Sequence, residues 1–282
     1  MPAAADPPER HFGDRQLAES LLAFWADAGV DAMLLDDPVD RIEAGRFVPP
    51  PRPAPVASVS SPAAPPRIGV PAPSDVSGAV AAAQAAAAGA ASLEDLAAAI
   101  AAFDGCPLRT AGAATRAVVY RGEPAAPLLV IGEGPGAEED ARGEPFVGRS
   151  GKLLDRMFAA AGLEGRVLIT NTVFWRPPGN RDPSQFEQAI CAPFLERMIA
   201  LVEPKMLLLV GAPSAKSILK REEGIMKMRG RFFEWTSADG SRELPAMPTL
   251  HPAFLLRQPG AKKQAWQDLL TLAERLDRPP RG

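Results

Sequence analysis

Pro127-Leu128-Leu129-Val130-Ile131 runs directly into Gly132-Glu133-Gly134-Pro135-Gly136. A short apolar run bounded by turn formers reads as a buried strand. Three glycines and a proline in the next five residues force a tight turn at its carboxyl end. The alternation continues downstream. Residues 167–173 and 206–210 read as further buried strands, and residues 150–161 and 183–202 as helices. Leu153, Leu154, Met157 and Ala161 fall on one helical face, with Gly162 as the stop. Strands alternating with helices imply an α/β chain whose mostly parallel sheet is covered on both faces. Ligands of such sheets bind outside the carboxyl ends of the strands, and the polar motifs of this chain fall there.

Upstream of this region the composition changes. Residues 49–73 hold ten prolines among Ala, Ser and Val. Such a segment buries too little to offset its ordering entropy and reads as a linker. Charge divides near the same place. Residues 1–102 carry 6 basic and 13 acidic side chains, and residues 103–282 carry 25 and 21. The C-terminal part is therefore mildly basic, which permits a nucleic-acid partner without requiring one. Leu17, Leu21, Leu22, Phe24 and Trp25 suggest a short amphipathic helix in residues 15–35. Residues 79–91 are Ala-rich, with high helix propensity and little to bury. Ser92 with Asp95 predicts a capping box opening a helix that ends near Phe103. Two cysteines, Cys106 and Cys191, cannot build a disulfide framework, which points to a reducing, cytoplasmic setting. No run approaches the ~20 apolar residues of a membrane span, and residues 1–12 lack an apolar signal core.

Each motif admits a plain reading and a functional one. Residues 132–136 are either an ordinary strand-to-helix turn or a place where backbone approaches a ligand beside Glu133. Gly148-Arg149-Ser150-Gly151-Lys152 superficially matches a phosphate-binding loop. The fit fails because no Gly stands five residues before Gly151 and Leu153 replaces the magnesium-binding hydroxyl. Phe146, just before a helix, is either core or a stacking platform for a base. Asn171 closes a strand and offers a donor beside an acceptor; alternatively it is a turn residue. Leu250-His251-Pro252-Ala253-Phe254-Leu255-Leu256-Arg257 contains one of only two histidines, pinned by a proline. That loop favours a functional His over a structural one.

Together these stretches resemble the uracil-DNA glycosylase superfamily, and family 4 in particular. The matching segments run in order: residues 132–136, 145–154, 170–171, 176–181 and 251–257, with Trp266 after them. The resemblance covers roughly residues 106–270. It implies a three-layer α/β/α sandwich around a four-stranded, mostly parallel sheet. It also implies a monomeric DNA repair enzyme that flips uracil from DNA and hydrolyses its N-glycosidic bond. The expected organisation is a helical segment at 1–46, a disordered Pro/Ala-rich linker at 47–91, the glycosylase-like domain at 92–277 and a tail at 278–282.

The resemblance assigns roles residue by residue. Glu133 holds the attacking water and stabilises the sugar cation, and His251 donates to uracil O2. Gly132 and Gly134 let backbone approach the base, Phe146 stacks on it and Asn171 reads N3–H and O4. Glu139 is placed near C5 to help exclude thymine. Leu255 or Leu256 is the apolar wedge that fills the vacated stack. Arg149, Arg176, Arg181 and Arg257 are candidate phosphate contacts. Family 4 members hold a [4Fe–4S] cluster on four cysteines. Here Cys106 and Cys191 stand at the second and fourth positions, but Phe103 and Trp175 stand at the first and third. No cofactor is therefore expected. Two competing functions remain: a non-catalytic binder of damaged or flipped bases, and a nucleotide-binding enzyme using the Gly-rich turn.

Overall fold

The computed structural model describes residues 73–110 and 113–278. The helix expected within 15–35, most of the Pro-rich stretch and nearly all of the tail lie outside the described residues. Six strands form one sheet: β1 (Arg121–Gly122), β2 (Leu128–Gly132), β3 (Val167–Asn171), β4 (Met206–Val210), β5 (Phe233–Thr236) and β6 (Glu243–Thr249). Their order is β1-β3-β2-β4-β6-β5. The inner strands β3, β2, β4 and β6 are parallel, and β1 and β5 add antiparallel edges. The four-stranded parallel sheet of the sequence reading is thus the centre of a larger one. The edges escape a pattern reading because β1 has two residues and β5 is half exposed.

Side chains alternate across the strands with period two. Leu129, Ile131, Leu168, Leu207 and Leu209 face one helical layer. It contains α1 (Pro73–Ala88), α2 (Leu93–Ala102), α6 (Gln185–Val202) and α7 (Ala212–Leu219). Leu128, Val130, Ile169, Met206 and Leu208 face the other. There α5 (Arg149–Ala160) supplies Leu154 and Phe158, and α10 (Lys262–Asp277) supplies Leu269, Leu272 and Leu276. Burial on both faces explains why the strands read as unbroken apolar runs. Short helices α3 (Pro107–Thr110), α4 (Ala137–Arg142), α8 (Ile225–Met228) and α9 (Pro252–Arg257) sit in the connections.

Ser92 caps α2 with the expected box: its hydroxyl accepts from Asp95 N–H while Asp95 accepts from Ser92 N–H. The linker expected through residue 91 needs correction. Residues 73–88 form α1, which packs on α6, with Ala83, Ala87 and Ala90 at most 4% exposed. Alanine side chains are small, so the two helices approach closely and the Ala-rich stretch finds a surface after all.

Candidate active site

The parallel register sets Gly132, the last residue of β2, beside Asn171, the last of β3. A Cβ on residue 132 would lie 2.5 Å from both Asn171 Oδ1 and the Phe146 ring. The amide and the ring share this strand end because a glycine leaves room for them. Asn171 is 1% exposed. Phe146 lies in the turn between α4 and α5, its ring centroid 5.7 Å from that of His251.

His251 caps the N-terminus of α9, and its Nδ1 accepts from Ala253 N–H at 3.1 Å. A ring nitrogen used as acceptor puts the proton of the neutral imidazole on Nε2. Burial, and then the positive charge of Arg257, hold the imidazole down at about 4, against an upward pull from Glu139. At neutral pH His251 is therefore an uncharged donor.

Glu133 follows β2, and its carbonyl accepts from the Thr172 hydroxyl at 2.6 Å. Its Oε1 is buried and has no hydrogen-bond partner among the described residues. Burial first, then the negative charge of Asp182, push its carboxyl up to about 7. Glu133, Asn171, Phe146 and His251 line one cavity of about 610 Å³, with Arg257 at its rim. It lies at the carboxyl ends of the inner strands, as the topology demands.

The remaining expected residues divide. Gly134 lines the cavity. Leu256 is half-buried and Arg149 exposed. Arg176 donates to Asn180 Oδ1 at 2.6 Å. Leu255 is fully buried against Leu153, Leu250 and Ala265. A wedge must be free to leave the protein surface, so Leu256 is the better placed of the two. Arg181 grips both oxygens of Glu187, at 2.8 and 2.6 Å, which closes the start of α6. Its side chain remains 47% exposed. Glu139 also lies on the cavity, but its oxygens accept from Gly136, Val147 and Gly148 N–H at 3.1, 3.1 and 2.9 Å. Its carboxylate thus ties the Gly-rich turn to the Phe146 loop while lining the cavity.

Sequence reasoning missed Gly211, Ala212 and Pro213, which wall the cavity just beyond β4. The expected strand at 206–210 and the rule for carboxyl ends would have found them. It also missed Asp182, whose effect on Glu133 depends on a partner distant in sequence.

At the positions the resemblance assigns to a cluster, two of the four side chains are thiols. Cys106 and Cys191 are both buried, and a hydrogen bond between them draws the Cys106 thiol down while burial pushes that of Cys191 up. Around them, Phe103 meets Phe194 edge-on at 5.2 Å, and Phe174 meets Phe194 and Trp175 at 6.3 Å each. A [4Fe–4S] cluster takes four thiolates; this place offers two among packed rings. Among the described residues no group of three or more His, Cys, Asp or Glu is arranged to hold a metal. None of their helices is long and apolar enough to cross a membrane.

A profile of the uracil DNA glycosylase superfamily matches residues 119–270. The type-4 uracil-DNA glycosylase of Sulfurisphaera tokodaii is 39% identical over 166 residues, 57% of this chain and 74% of that protein. That of Saccharolobus solfataricus is 38% identical over 170 residues, 58% and 78% of the two chains. That of Pyrobaculum aerophilum is 36% identical over 171 residues, 59% and 85%. The matched span carries every residue of the cavity described above. The chain belongs to the uracil DNA glycosylase superfamily.

Proposed function

We propose that this protein is a uracil-DNA glycosylase that binds uracil-containing DNA, flips the base into the cavity and hydrolyses its N-glycosidic bond. The convergence of Glu133, Phe146, Asn171 and His251 on one cavity carries the assignment. Each group has a distinct task. Phe146 stacks on the flipped base. Asn171 accepts from N3–H and donates to O4. Cytosine presents the reverse pattern, and a buried amide facing mismatched groups is costly. His251 donates from Nε2 to O2, where negative charge develops as uracil departs. A preformed neutral donor at that point is worth roughly 3–4 kcal/mol. Glu133, when ionised, positions the attacking water and stabilises the cationic sugar. Arg149 and Arg257, both exposed, are the best placed phosphate contacts. Leu256 enters the vacated stack.

One chain supplies all four groups, so the reading needs no residue from a partner subunit. It carries no iron–sulfur cluster, because two of the four ligand positions hold rings. Two buried free thiols suit a reducing, cytoplasmic compartment. The test is incubation with a uracil-containing single-stranded oligonucleotide, followed by alkali. Cleavage at the uracil position is expected. Binding without cleavage would make the protein a non-catalytic binder instead.

A further inference from the structure

Phe146 is held where its own backbone preference would not leave it. Its φ is +55°, in the left-handed region that residues with a Cβ avoid. The two-residue strand β1 supplies the restraint. Arg121 Nε donates to the Pro145 carbonyl at 2.6 Å, and Nη2 donates to the Phe146 carbonyl at 3.1 Å and to Asp155 Oδ1 at 2.6 Å. Extended backbone points successive carbonyls to opposite sides, whereas here both converge on one guanidinium. From the other side the first turn of α5 closes on the same peptide. A Cβ on Gly151 would lie 1.6 Å from the Phe146 carbonyl oxygen.

We infer that Arg121 is a positioning residue for base recognition: its guanidinium clamps the 145–146 backbone so that the Phe146 ring stands ready to stack on the flipped base. The inference rests on the proposed glycosylase reading. The plain alternative is that Arg121 only pairs with Asp155 at the surface. Their side chains are 22% and 49% exposed, and such pairs contribute little. The two carbonyl bonds are a different matter, because a guanidinium bridges two acceptors in a fixed fork that an ammonium does not reproduce.

The test is a double-mutant cycle in single-turnover excision from uracil-containing single-stranded DNA, using Arg121→Met, Phe146→Ala and the double variant. Arg121→Met should slow excision about tenfold, within what one stacked base contributes. It should leave binding of the same strand with thymine in place of uracil unchanged. In the Phe146→Ala background it should cause no further loss, because its effect runs through that ring. Arg121→Lys keeps the charge opposite Asp155 but lacks the fork, and serves in the same cycle should the Met variant not fold. Additive losses, or a wild-type rate in the variant, would overturn the clamp. An inactive wild-type protein would instead overturn the glycosylase reading, and the clamp with it.

Discussion

The base cavity and the thiol–aromatic cluster make opposite use of buried groups. In the cavity, Glu133 keeps a buried oxygen without a partner and a carboxyl pushed up to about 7. His251 presents an uncommitted donor, and about 610 Å³ of space is left open. Such an arrangement is poor for stability and suited to a ligand that completes it. Around Cys106 and Cys191 the rings of Phe103, Phe174, Trp175 and Phe194 interlock. Trp175 is 1% exposed, and Phe174, Phe194 and both cysteines are fully buried. Phe103 and Trp175, which the resemblance places at two of the four cluster-ligand positions, are part of this packing. Empty volume in a core costs about 24 cal/mol per Å³. The first region is built for chemistry and the second for packing.

The two regions would not differ in this way if the second bound metal. Iron and acid-labile sulfide analysis of anaerobically purified protein should find no stoichiometric iron; about four irons per chain would show that the rings do not replace the cluster. Next in size, Trp175→Ala should lower stability by about 3–5 kcal/mol, the range for large-to-small core changes. Denaturant unfolding measures that loss, and the excision rate of the folded fraction should stay near wild type. A large rate loss at unchanged stability would place Trp175 in the chemistry.

The cavity makes the converse predictions. Glu133→Gln should slow single-turnover excision at pH 8.5 by on the order of 10²-fold, because the side chain keeps its shape but loses its charge. The gap should narrow at pH 5.5, where wild-type Glu133 is itself protonated. A gap that does not change with pH would remove the ionised carboxylate from the mechanism. The smallest expected effect is a displacement along the pH axis. The Glu133 carboxyl titrates near 7, so activity should rise as pH increases through that value. Asp182→Asn removes the like charge that raises it, and the rising limb should move to lower pH. Burial, the larger cause, remains, so the limb should stay above the ordinary carboxylate range. A limb that does not move would separate Asp182 from Glu133.

Much of this contrast was legible in the sequence, and the residues explain why. The strand at 206–210 was read to the residue because both of its faces are buried. Glu133, Phe146, Asn171 and His251 were legible because each sits beside a glycine, proline or strand end that marks a turn. Leu255 and Leu256 were not separable. Adjacent residues on a short helix face different ways, and only the packing of Leu255 against Leu153 and Ala265 decides which is buried. Residues 79–91 offer little to bury by themselves, because their partner surface, α6, begins about a hundred residues later.

The sequence by itself determined the alternation of buried strands and helices, the carboxyl-end location of the site and the residue types available there. Local periodicity and turn chemistry are short-range properties, and they are written in consecutive residues. Only the tertiary structure decided what each charged group does. Glu139 accepts from backbone amides, Arg181 pairs with Glu187, Asp182 raises Glu133 and Arg121 clamps the turn that carries Phe146. A charge acquires its task from the groups that surround it after folding. For Arg121 and Phe146 those groups meet only because a two-residue edge strand lies across the turn before α5.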